Sequence, residues 1–212
     1  MSTNTKVKTC SHKNTLILGF VFILSVLITF VPILIYQKLQ DANLSFKIMV
    51  VLEFGVSFIV YVIFYRKSFN SIKNRADIFF ISLAVLVGIQ FLTYVLQNHD
   101  IGSIKITSDN ALSLFMLAII IPFYEEVFYR GCLFDVLVSM FKGELLFPSI
   151  ITSIIFSLMH TQYSGIMAFL IMFFISLILI KSRVVSKNII SPVLLHCIMN
   201  AFFIFINVQN FF

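Results

Sequence analysis

The chain has 212 residues, of which 60% are hydrophobic and 11% charged, with 26 Phe, no Trp and a mean hydropathy of +1.05. Globular chains are about 25% charged and do not repeat apolar runs of about 20 residues, so a soluble domain is excluded and the class is an all-α, polytopic membrane protein in one domain. The net charge of +6 does not point to nucleic acid, because Lys and Arg fall in the gaps between apolar runs rather than on one continuous face.

Lys6, Lys8 and Lys13 precede a first apolar segment over about 16–36. That segment exceeds a signal-peptide core and carries no small-residue cleavage site, so it reads as a retained signal-anchor. Pro32 is expected to kink its far end. The second segment, about 48–65, follows a short polar linker with Asp41 and Asn43. Its Glu53 is placed near one end and expected to snorkel to the interface. The third segment, about 78–96, leads into the most polar loop, 97–110, where His99 and Asp100 read as solvated. Residues 1–110 are thus expected to form a three-helix scaffold that is not a separate domain, joined to a helical core over 111–212.

The fourth segment begins near Ala111, with Asp109 or Asn110 as N-cap, and runs through Pro122 toward Phe141. It is too long for one simple span. A bent or two-part helix is expected, because Pro122 removes a backbone donor and a neighbouring helix must satisfy the freed carbonyl. Segments over 147–161, 165–180 and 189–208 follow, and the short turn at 161–165 makes the first two of these antiparallel neighbours. About seven spans result, with no internal repeat. If the N-terminus is cytoplasmic, eleven Lys and Arg residues fall inside (Lys6, Lys8, Lys13, Arg66, Lys67, Lys73, Arg75, Lys142, Lys181, Arg183 and Lys187) against Lys38, Lys47 and Lys105 outside. That asymmetry sets the N-terminus in the cytoplasm and the C-terminus outside. Cys10, Cys132 and Cys197 are scattered, with no C-x-x-C spacing, and indicate neither a disulfide framework nor a zinc–thiolate site.

Residues 122–131, PFYEEVFYRG, put two carboxylates and a guanidinium inside an apolar run. Each such charge costs roughly 2.5–3.5 kcal/mol at the bilayer centre on insertion scales, so ionisable groups at that depth are paired and functional by default. Glu126 and Arg130 have the i,i+4 spacing of a helical ion pair, and Glu125 lies about 100° around the helix, turned to a different partner. The fifth segment carries FSLMH, with Phe156 one turn from His160, and the seventh carries HCIMN, with His196 and Asn200 on one face. A single buried pair is as readily a brace, and a single membrane histidine an interhelical hydrogen bond. Three helices carrying such groups together point instead to a reaction centre. Counting helical rise from the expected segment ends puts Glu125 about 21 Å below the outer end and Asn200 about 17 Å above the inner end, in compatible layers.

A glutamate and a histidine converging on water generate a nucleophile, and a second histidine with an asparagine supplies donors for an oxyanion. The same residue types could ligate zinc, with Glu125, His160 and His196 as the set, because catalytic zinc takes three protein ligands and a water. H-E-x-x-H, G-x-S-x-G, the P-loop and G-x-G-x-x-G are all absent, so serine-nucleophile chemistry and nucleotide binding have no support.

The set Glu125-Glu126-x-x-x-Arg130, Phe156-x-x-x-His160 and His196-x-x-x-Asn200 resembles the three motifs of the CPBP family, the CAAX-protease and bacteriocin-processing intramembrane proteases also known as the Abi family. The resemblance covers about residues 112–207. It implies proteolysis within the membrane by water activated between Glu125 and His160, with His196 and Asn200 as the oxyanion-binding pair. Glu126, Arg130 and Phe156 would support that set. It further implies a peptide or membrane-protein substrate, a multi-pass place in the cell membrane, no nucleic-acid partner, and a role in bacteriocin maturation or self-immunity. Metal-dependent and metal-free mechanisms both stay open, with Asn200 fitting a donor better than a ligand, and the residues do not fix an oligomeric state. Two other classes compete: a non-enzymatic immunity or interaction protein whose motif residues only brace the bundle, and a proton-coupled carrier, against which stands the lack of inverted repeats.

Overall fold

The computed structural model describes residues 9–66, 76–96, 107–160 and 165–207. Every element among them is helical. Seven apolar helices follow one another: α1 His12–Leu39, α2 Ala42–Tyr65, α3 Ala76–Leu96, α4 Asn110–Met140, α5 Leu146–Met159, α6 Ile166–Ser186 and α7 Ile190–Asn207. Six are long and apolar enough to cross a membrane, while α5 has only 14 residues, short of the span expected of it. Large apolar side chains such as Phe20, Ile63 and Phe80 are mostly exposed on the outside of the bundle, a surface that only lipid covers stably. The chain is a multi-pass membrane protein. The loop with His99 and Asp100 lies outside the described residues.

Local signals explain where the helices start and break. In α1 a turn at Thr29 and Phe30 separates His12–Ile28 from Val31–Leu39, and Pro32 falls in the first turn of the second piece, where no N–H is needed. Helix α2 begins at Ala42, well before the expected 48, because Asp41 caps it by accepting from the Leu44 N–H at 2.9 Å. That earlier start corrects the reading of Glu53. It lies about 17 Å from either end of α2 at 1.5 Å per residue and is 1% exposed, so it does not snorkel to an interface. The helix leading into α4 is capped by Thr107, whose N–H donates to the Asn110 side chain at 2.9 Å, rather than by Asp109 or Asn110. Helix α6 continues past the expected 180 to Ser186 and carries Arg183 onto the bundle, where it faces Asp135 at 3.6 Å instead of serving only as a loop charge.

Helix α4 organises the rest, since α1, α2, α5, α6 and α7 all pack against it. It is not uniform. A regular turn, Ile121–Glu125, separates two wide π-helical stretches, Met116–Ile120 and Glu126–Leu133. In the first of these the Ile121 N–H reaches back five residues to the Met116 carbonyl. The next donor in that ladder would be residue 122, which is proline, so the Leu117 carbonyl is released. The Asn200 amide of α7 fills the gap, donating to the Leu117 oxygen at 2.9 Å. The carbonyl freed by Pro122 is therefore satisfied from a neighbouring helix, as its position in the sequence requires. One apolar cluster, centred on Val127, Phe128 and Cys132, joins α4 to α1 and α2; another, around Leu86, Leu179 and Leu195, joins α3, α6 and α7. The polar groups lie between them.

Candidate active site

Glu126 and Arg130 are fully buried, and their side chains meet at 2.9 Å between Arg130 Nη1 and Glu126 Oε1. The same carboxylate oxygen lies 2.8 Å from His196 Nδ1. A carboxylate already paired with a guanidinium only accepts, so His196 Nδ1 carries the proton and donates. The other ring nitrogen, Nε2, then faces Glu125 Oε2 at 3.8 Å. The two adjacent glutamates thus address opposite sides of one imidazole. Glu125, expected to turn to a different partner from Glu126, faces the same ring as its neighbour, and the pairing of Glu126 with Arg130 extends to His196.

His160 ends α5. Its ring Nδ1 lies 2.7 Å from the Phe156 carbonyl oxygen, which cannot donate, so Nδ1 holds a hydrogen and Nε2 of the neutral ring is left as an acceptor. Phe156 is fully buried and stacks the site together, with the Arg130 guanidinium 4.1 Å over its ring and the His160 ring centroid at 4.2 Å. The His196 ring meets it edge-on at 6.3 Å.

Glu125, His160, His196 and Asn200 line one cavity of about 490 Å³. Glu126, Arg130 and Phe156 are not among its lining residues; they form the layer behind. Among the described residues, Glu125 Oε2 is buried without a hydrogen-bond partner. Asn200 uses one amide hydrogen on Leu117, leaving its second hydrogen and its oxygen. The arrangement offers a carboxylate, two imidazole nitrogens and an amide N–H around one cavity, the set of groups needed to activate water and stabilise an oxyanion.

Residues 107–202 match the family model described as Type II CAAX prenyl endopeptidase Rce1-like. That part of the chain is similar to the CAAX-protease family. Over 106 residues the chain is also 32% identical to an uncharacterized 24.3 kDa protein of Escherichia coli, an alignment that covers 50% of this chain and 46% of the relative. The chain therefore spans about half the length of this curated relative. No solved structure matches. All seven residues of the three motifs fall within the matched segment, which takes in α4 to α6 and most of α7 and leaves α1 to α3 outside it.

Outside that segment, Ser25 and Thr29 of α1, Glu53 of α2 and Gln90 of α3 also line the cavity. Of these only Glu53 stood out in the sequence, as a lone carboxylate in an apolar run; the others are ordinary polar residues there. A second polar cluster was likewise missed. The Tyr65 hydroxyl donates to Asp135 at 3.2 Å, and Arg183 sits 3.6 Å from the same Asp135 oxygen. As for zinc, the set it would use is Glu125, His160 and His196, but among the described residues no three His, Cys, Asp or Glu side chains come together as a metal-holding group. The described side chains do not fit that ion, and no step below runs through it.

Proposed function

We propose that the chain is an intramembrane endopeptidase that hydrolyses a peptide bond of a membrane-associated peptide or protein segment, with residues 111–212 as its catalytic core. The observation that carries this reading is the convergence of Glu125, His160, His196 and Asn200, from three helices of the family-matched segment, on one cavity. A water held by Glu125 and His160 Nε2 donates one hydrogen to each, leaving a lone pair for attack. Glu125 takes the proton as the water oxygen bonds to the scissile carbonyl carbon. The oxyanion receives the second Asn200 N–H and an N–H from His196 Nε2. That His196 donor requires a hydrogen on both ring nitrogens, because Nδ1 already donates to Glu126. Glu125 then passes its proton to the leaving nitrogen as the C–N bond breaks, releasing a carboxylic acid and an amine.

The protein sits in the plasma membrane with its N-terminus cytoplasmic in this reading, and acts in the maturation of a bacteriocin or similar peptide, or in self-immunity to it. Glu125→Gln and His160→Ala should each abolish cleavage while the protein inserts and accumulates normally. Cleavage that persists in both variants contradicts the proposal. Protection of cells by a stable but inactive Glu125→Gln variant would instead support a non-enzymatic immunity protein.

A further inference from the structure

Glu53 has no part in the chemistry above, yet it is a carboxylate in the middle of a membrane-spanning helix. It is 1% exposed. One oxygen, Oε1, accepts from the Ser25 hydroxyl at 3.4 Å, and among the described residues Oε2 is buried with no partner. Both Glu53 and Glu125 line the cavity. The described lining residues include no Lys or Arg; the groups that can carry positive charge there are His160 and His196. Of these, His196 is already held by Glu126 and faces Glu125. The wall contributed by α1 to α3 therefore presents a carboxylate that the protein itself does not neutralise. A buried carboxyl with a free oxygen either takes up a proton or takes up a cation, and a ligand can supply the cation. The surroundings suit a long, apolar stem that ends in one, since Met49, Met159, Met172 and Met199 line the same space with flexible thioether chains.

We propose that Glu53 is a specificity-determining residue that binds the ammonium or guanidinium of a Lys or Arg side chain, placed by the shared cavity within a few residues of the scissile bond. This rests on the endopeptidase reading for what is cut, and stands apart from it in what is bound. Glu53 positions the substrate and does not touch the reacting atoms. Helices α1 to α3, outside the family-matched segment, then supply substrate selection, and α4 to α7 supply the chemistry.

The test uses the full chain in liposomes and a series of apolar transmembrane peptides, identical except for one Lys or one norleucine moved along the sequence. Binding is read by fluorescence anisotropy in the Glu125→Gln background, so that no peptide is consumed. At one position the Lys peptide should bind at least roughly tenfold more tightly than its norleucine twin, and adding Glu53→Gln should bring the ratio close to one. Gln keeps the shape and the bond to Ser25, so a bracing role alone would leave the ratio unmoved. On protein retaining Glu53, hexylammonium should displace the Lys peptide and hexanol should not, a comparison that holds even if the Glu53 variant fails to accumulate. No Lys preference at any position, a ratio unchanged by Glu53→Gln, or equal displacement by the two hexyl probes overturns the proposal. Cleavage by protein with Glu125 intact, measured in parallel, separates the two readings: Glu53-dependent binding without any cleavage removes the endopeptidase, and cleavage indifferent to Lys removes the role of Glu53.

Discussion

Two polar clusters hang on α4 less than three turns apart, and they differ in what they present to the cavity. Tyr65, Asp135 and Arg183 turn their polar atoms toward one another, tying α2, α4 and α6 at one end of the bundle, and none of the three lines the cavity. Glu126 bonds both Arg130 and His196, but that pairing sets a histidine nitrogen and a Glu125 oxygen without a hydrogen-bond partner on the cavity wall. Burial of charge alone does not distinguish a brace from a reaction centre. The distinction lies in whether the paired groups turn away from the cavity or line it, where a substrate fits.

Substitutions can break this contrast at either cluster. The largest effect is expected at Glu125, where Gln should lower turnover by roughly 10²–10⁴-fold, the contribution of a general base, whereas Asp135→Asn should leave turnover per folded molecule near that of the parent. Next comes Arg130→Met, which removes the guanidinium from the buried Glu126 carboxylate, leaves it only His196, and should destabilise by about 3–5 kcal/mol. Adding Glu126→Gln should recover part of that loss in thermal unfolding. Asn200→Ala should orphan the Leu117 carbonyl and cost about 1–3 kcal/mol of stability. Pro122→Ala restores a backbone N–H for that carbonyl, so in the double variant stability should return while turnover stays low. Recovery of turnover as well would reduce Asn200 to a brace.

Smaller effects belong to the other cluster. A Cβ at Gly131 would lie 2.9 Å from the Tyr65 ring, so Gly131→Ala should cost about 1–3 kcal/mol through overpacking, relieved by Tyr65→Leu. Arg183→Met removes a partly exposed pair at 3.6 Å and should cost about 1 kcal/mol or less.

Much of the fold was legible in the sequence, because hydropathy and the position of Pro122 are local signals that no tertiary contact overrides. Seven apolar helices, a non-uniform α4 and the need for a donor to the freed carbonyl all follow from them. Failures came where a local polar group changed the length of a helix. Asp41 starts α2 early and moves Glu53 from the interface to mid-span, and the Lys181 to Lys187 region, which reads as a loop charge cluster, is helical far enough to bring Arg183 onto Asp135. Within the candidate site, i,i+4 spacing gave the Glu126–Arg130 pair. The sharing of His196 by Glu125 and Glu126 was not legible, since it depends on how α7 docks beside the wide turns of α4, a contact 70 residues apart in sequence.

The most direct test of hydrolysis within the bundle is a cleavage assay on purified protein in liposomes, with a mixture of transmembrane peptides read by mass spectrometry for the parent chain, Glu125→Gln and Asp135→Asn. Cleavage at defined bonds by the parent and by Asp135→Asn, and none by a folded Glu125→Gln, is the predicted result. Equal cleavage by Glu125→Gln and the parent would contradict it.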